Sequence, residues 1–246
     1  MNPIITVFTD GASRGNPGPG GWGAIIIANG ATPAETKVIE LGGREDHTTN
    51  NRMEMMAALE ALQTIRRREI PGDIEMHTDS AYLINGITQW VHGWEKNGWV
   101  TKEGEPVLNR DLWQFLVEMV RALKLRKNIE WKKVSGHSGL RGNDRVDEIA
   151  TMYADKQFVL LYTGGLEKYN EMLGSDIFHV EKKAATKKKS SSAKAYSYVS
   201  YVDGKLHTDK TWAACEKRVK GKKGAKYKKA ISADDEAEII KEFTGK

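Results

Sequence analysis

Cysteine is almost absent from this sequence: Cys215 is the only one in 246 residues. No disulfide can close within the chain, and a reducing compartment is the default expectation. Long apolar runs are missing too, and nothing approaches the ~20 residues that span a bilayer. The N-terminus lacks the basic, apolar and small-residue succession of a secretory signal. These absences lead us to expect a soluble, cytoplasmic protein with no membrane partner. An even spread of charge is also lacking. Residues 181–246 hold 18 Lys+Arg against 9 Asp+Glu, whereas 1–180 hold 20 against 24. A slightly acidic body with a strongly basic tail points first to nucleic acid. A tail that merely keeps the protein in solution is the plainer alternative.

What is present divides along the chain. Residues 3–9 are rich in β-formers and end at Asp10. The glycine-dense stretch from Gly11 to Gly21 leads into β-like runs at 22–28 and 37–41, which predicts an antiparallel meander. Thr48, Thr49 and Asn50 supply N-cap chemistry, and Met55, Leu59, Leu62 and Ile65 then recur at helical intervals. A strand at 74–78 ends at Asp79, with Ser80 able to cap the helix that follows. A Trp-rich segment (90–99), a helix near 111–125, a strand at 129–134 and a glycine-flanked loop (136–139) come next. The last helix of this region, about 143–158, carries Asp147. The order βββαβααβα predicts an α/β domain with a mixed five-stranded sheet. Residues 159–180 either extend that domain or pack on it. The Lys/Ser/Ala stretch 181–195 reads as a flexible linker, with a random-coil span of roughly 20 Å. Residues 196–246 form a small α+β unit: a Tyr/Val strand, a helix after Thr211, a basic loop and a helix near 234–243.

Four acidic residues carry the chemistry. Asp10 and Asp79 each follow a strand, and in open α/β sheets ligands gather beyond the carboxyl ends of strands. Glu54 and Asp147 lie near helix starts. Singly, each is more commonly a turn or cap residue; four in ordered blocks are another matter. Thr9-Asp10-Gly11 with Gly15 through Gly23, Thr48 through Glu54, Thr78-Asp79-Ser80, and Gly136-His137 followed ten residues on by Asp147 resemble the blocks of the type 1 ribonuclease H family. The likeness covers residues 1–155 and implies that fold, with helices on both sheet faces.

The resemblance implies endonucleolytic hydrolysis of the RNA strand of RNA–DNA hybrids, giving 5′-phosphate and 3′-hydroxyl ends. It further implies two Mg²⁺ ions, with Mn²⁺ as a substitute, held by Asp10, Glu54, Asp79 and Asp147. Hard cations suit such a site because they select carboxylate oxygens and can activate water while neutralising developing charge. His137 is assigned proton handling and product release, and a side chain titrating near neutrality suits that work. A monomer is expected. The competing reading is a non-catalytic binder of hybrid or double-stranded RNA, which would have no need of four carboxylates.

Substrate contacts are implied in the same way. Asn16, Asn50 and Asn51 match positions near the hybrid's sugars and backbone, where the 2′-hydroxyl distinguishes the strands. Thr49 matches a DNA-phosphate position, although His47 stands where the family often has Arg. The segment 90–106 matches a protruding basic handle, yet residues 95–106 carry Lys96 and Lys102 against Glu95, Glu103 and Glu105. So weak a positive charge predicts poor grip on phosphate, with the tryptophans serving as core. Residues 196–246 resemble the small hybrid-binding domain that eukaryotic relatives carry at the N-terminus. Trp212 and Tyr227 would face the DNA strand while Lys228 and Lys229 neutralise phosphates; double-stranded RNA is a possible second ligand. A tyrosine of the first strand should join them, either Tyr198 or Tyr201.

Overall fold

The structure, a computed structural model, describes residues 3–32, 34–135, 139–180, 195–222 and 224–244. It divides into two units, 1–182 and 183–246. The proposed linker, but for residue 195, lies outside the described residues, as does His137. Among the described residues no helix is long and apolar enough to cross a membrane.

In the first unit β1 (Ile4–Ser13), β2 (Gly18–Ala28) and β3 (Lys37–Thr48) form the antiparallel meander, with Asp10 opposite Gly23. Helix α1 (Asn50–Arg67) starts where Thr49 Oγ1 accepts from the Arg52 amide at 3.4 Å. The chain then returns as β4 (Asp73–Thr78), parallel to β1. Ser80 caps α2 (Ala81–Asn85), which passes through a π-helical turn, Gly86–Trp90, into α3 (Val91–Lys96). After α4 (Arg110–Lys124), β5 (Ile129–Lys133) pairs parallel with β4, and α5 (Arg141–Ala154) follows.

Residues 159–180 add two elements, β6 (Thr163–Gly165) and α6 (Leu166–Leu173). The sheet order is β5-β4-β1-β2-β3-β6, so six strands replace the expected five. The sixth escaped sequence reading for a physical reason. Thr-Gly-Gly offers no alternating apolar pattern, and the strand is held to β3 through its backbone and through neighbouring side chains.

Period-two alternation sends neighbouring side chains to opposite faces of the sheet. Ile5, Val7, Ala24 and Ile26 pack with α1 and α4, around the fully buried Trp113. Phe8, Ile25, Ile27 and Val38 face the other way, toward Val146 of α5, Tyr169 of α6 and Ile177. Of the tryptophans in the handle segment, Trp94 and Trp99 pack into the core as expected, while Trp90 is 38% exposed. Trp94 lies 5.6 Å from Trp113 and 5.7 Å from Trp90 between ring centres, and Trp99 is 8% exposed.

The second unit has β7 (Ser197–Val202) at the centre of a three-stranded antiparallel sheet, between β8 (Lys205–Asp209) and β9 (Lys226–Ala230). Helices α7 (Trp212–Val219) and α8 (Ala233–Thr244) complete it. The run read as part of a basic loop is therefore strand in its second half. Four of the five β9 residues are Lys or Tyr, so the strand has little apolar signature and is defined by pairing with β7.

Candidate active site

β4 pairs in parallel with β1 as far as Phe8 opposite His77, so Asp79, just past the end of β4, comes beside Asp10. Asp10 lies inside β1, not after it as expected, because the ladder with β2 carries that strand on to Ser13. Glu54 joins from the second turn of α1. That approach depends on Gly11: a β-carbon there would collide with the backbone at Met53 and Glu54. Carboxylate oxygens of Asp10, Glu54 and Asp79 lie within 4.8 Å of one another. Asp147 is not part of that tight group, but it lines the same cavity of about 180 Å³ from the second turn of α5. Gly23 plays the matching part on this side, because a side chain there would press on the Val146 carbonyl and Ile149.

Burial sets the electrostatics. Asp10 is 8% exposed and Glu54 5%. Desolvation, chiefly, and then the negative field of Asp79 push the Asp10 carboxyl up to about 7, against the Gly11 amide that donates to Oδ1 at 2.7 Å. The Glu54 carboxyl is raised well above its ordinary range by burial first, then by Asp10 and Asp79. Asn50 Nδ2 donates to Glu54 Oε1 at 3.3 Å, while Glu54 Oε2 is buried with no hydrogen-bond partner. Converging, desolvated carboxylates with an unsatisfied oxygen are costly alone and well matched to a divalent cation. The residues fit Mg²⁺, a hard ion that takes oxygen ligands.

The remaining expected contacts surround this centre unevenly. Asn50 lines the cavity, Thr49 caps α1, Asn51 is exposed on that helix's first turn, and Asn16 is exposed between β1 and β2. Two residues absent from the sequence reading also line the cavity: Asn143 and Asp144. Both sit one helical turn before Asp147, a spacing that could have revealed them. Asn143 is 4% exposed and its Oδ1 has no partner.

In the second unit strand alternation sends the two tyrosines to opposite faces of the sheet. The Tyr198 ring lies 5.6 Å from Trp212, which lies 5.4 Å from Tyr227, whereas Tyr201 packs with the Val199–Ile239 core on the opposite face. Trp212 is 39% exposed and Tyr227 52%. The same alternation splits the expected lysine pair. Lys228 pairs with Glu242 of α8 at 2.6 Å, and Lys229 follows Tyr227 by two residues and so shares its face.

Comparison with known proteins bears on the first unit. A family model for RNase H matches residues 2–155. Ribonuclease H of Mesorhizobium japonicum is 49% identical over 150 residues, which is 61% of this chain and 77% of that protein. Ribonuclease H of Maricaulis maris is 51% identical over 146 residues, 59% of this chain and 90% of that one. Among solved structures, LC9-RNase H1, described as a type 1 RNase H with the type 2 active-site motif, superposes with a TM-score of 0.60 at 29% identity. That match covers 74% of this chain and 88% of the other. With the sheet, the acidic cavity and the sequence in agreement, the chain belongs to the RNase H family and carries its type 1 catalytic domain.

Proposed function

We propose that this enzyme hydrolyses the RNA strand of RNA–DNA hybrids with two divalent metal ions, leaving 5′-phosphate and 3′-hydroxyl ends. The observation that carries the reading is the group of three carboxylates within 4.8 Å, two of them buried and raised in pKa, with Asp147 on the same cavity. Mg²⁺, or Mn²⁺ in its place, would supply charge neutralisation and an activated water when bound. Asp10, Glu54, Asp79 and Asp147 would hold the ions. Asn50 steadies Glu54 through its hydrogen bond, and the Gly11 amide fixes one Asp10 oxygen. Because Asp10 and Glu54 favour their protonated forms in the bare protein, loading the site releases protons.

His137 handles a proton and assists product release. Asn16, Thr49, Asn50 and Asn51 contact hybrid sugars and phosphates around the cut. The second unit grips the duplex through Trp212, Tyr227, Tyr198 and Lys229, an arrangement of aromatic faces and cations suited to a sugar–phosphate strand. Lys228, engaged with Glu242, contributes less. Labelled hybrid incubated with Mg²⁺ tests the reading: the native chain cuts only the RNA strand, and Asp10→Asn does not. A native chain that binds hybrid yet leaves it whole would favour the non-catalytic alternative.

A further inference from the structure

Helix α5 bears Asn143, Asp144 and Asp147; its buried Val146, Ile149 and Ala150 pack the body of the helix on the sheet, while its first turn is held from elsewhere. Its N-cap, Leu140, makes no side-chain hydrogen bond to the first turn. A helix start leaves up to four amides without an internal partner. Here two of them are taken by backbone carbonyls more than thirty residues downstream. The Arg141 amide donates to His179 O at 3.0 Å and the Gly142 amide to Ile177 O at 3.0 Å, with Leu140 and Val180 bridged alongside. These bonds fix the rotation of the helix as well as its position, since a slip of one residue would turn it by about 100° and break both.

A second tie lies on the sheet. Arg145 of α5 donates to Glu40 Oε1 at 2.7 Å and Oε2 at 3.0 Å. Glu40, on β3, has a side chain with 0% exposure. Its carboxylate also accepts from the Tyr169 hydroxyl at 2.6 Å and the Tyr162 amide at 2.9 Å. A buried, fork-like ion pair holds direction strongly because either partner alone would be left charged and unsolvated. Ile177 and Tyr169 are wholly buried against the sheet, which anchors the segment making both ties. The family match ends at residue 155, so all of these partners except Glu40 and α5 itself lie beyond it.

We infer that residues 162–180 are a built-in positioning element: they set the first turns of α5 so that Asn143, Asp144 and Asp147 face the acidic cavity. Glu40, Tyr169 and Ile177 are positioning residues in this scheme. The inference rests on the hydrolytic reading above for its kinetic consequence, though the mechanical part stands apart from it. Displacing a catalytic group by about 1 Å can cost ~100-fold in rate, so a loosened α5 should lower turnover more than substrate binding.

The test uses the full chain with Tyr169→Phe, which keeps the ring, and Ile177→Ala. Leu123→Ala, in the core on the other sheet face, serves as a control for general destabilisation. Hydrogen exchange at the Arg141 and Gly142 amides and kcat with KM on a hybrid are measured at a temperature where every variant is folded, and Mg²⁺ affinity is taken from the shift in Tm. We expect exchange at those amides to rise at least about tenfold in Ile177→Ala. Mg²⁺ affinity should fall several-fold, and kcat ~10- to 100-fold with KM within about twofold. Tyr169→Phe should show the same pattern more weakly, and Leu123→Ala none of it, even at equal loss of Tm. Unchanged exchange in both test variants overturns the proposal. So does faster exchange with normal Mg²⁺ affinity, or a control that reproduces the pattern. A native chain that cuts no hybrid would instead refute the hydrolytic reading, while exchange and Mg²⁺ affinity would still judge the positioning role.

Discussion

The two units solve opposite electrostatic problems. The first gathers like charges out of water, so that Asp10 and Glu54 resist ionising until a cation arrives. The second keeps the Trp212 and Tyr227 rings partly exposed and pairs Arg218, Lys222 and Lys228 with carboxylates near the surface. On the proposed reading, chemistry sits where burial makes charge expensive and grip where charge is cheap and screened. If that division is right, damage to one unit should leave the other's signature intact.

The largest effect belongs to the carboxylates. Asp79→Asn should lower cleavage of hybrid by roughly 10³-fold or more while hybrid affinity stays within about threefold. A matching loss of affinity would show that the cavity holds substrate as well as metal. Next comes removal of residues 183–246. Losing a tethered second site should weaken hybrid binding about 100-fold and flatten its dependence on salt, with kcat unchanged. Equal affinity and an equal salt slope in the shortened chain would end the role assigned to the tail.

Single side chains sharpen this further. Trp212→Ala should cost about tenfold in affinity, the scale of one lost stacking contact. Lys228→Ala should change the salt slope hardly at all, because Lys228 already faces Glu242. A clear drop in the slope would show that the Glu242 pair opens on binding.

The smallest effect is a stability trend. The Asp10 carboxyl is raised to about 7 in the folded chain, so the native state keeps a proton that the unfolded state releases. Its contribution is full below about pH 4 and is lost as pH rises through about 7. Without metal, Tm should therefore fall by about 5 °C between pH 5 and 8, and Mg²⁺ should abolish the decline. His77, whose pKa burial lowers, works the other way, losing stability as pH falls. The Asp10 part is thus read as the slope that disappears in Asp10→Asn.

Much of this was legible in the sequence where a local signal existed. Asp10, Glu54 and Asp79 stood in distinctive blocks, the meander showed in its β-rich runs, and α1 announced itself by its period and its Thr49 cap. What the sequence concealed was long-range. Thr163–Gly165 becomes a strand only because β3 offers an edge, and β9 only because β7 does. Asn143 and Asp144 stand in no motif of their own and reach the cavity only through their helical spacing from Asp147. The facing of Lys228 and Lys229 required knowing that their segment is extended; read as a loop, the two lysines looked equivalent.

The short strand β6 has a practical meaning beyond the active site. An open sheet edge is a template on which another chain can add a strand. β6 covers Lys37–Ile39 of β3, and the Glu40 amide donates to the Tyr162 carbonyl at 2.8 Å, continuing that cover by one residue. A protein cut back to residue 158, where the last helix was expected to end, would bare this rim together with the apolar surface under Tyr169 and Ile177. Its first failing would be poor solubility and self-association, and anyone isolating the nuclease half should cut after residue 180.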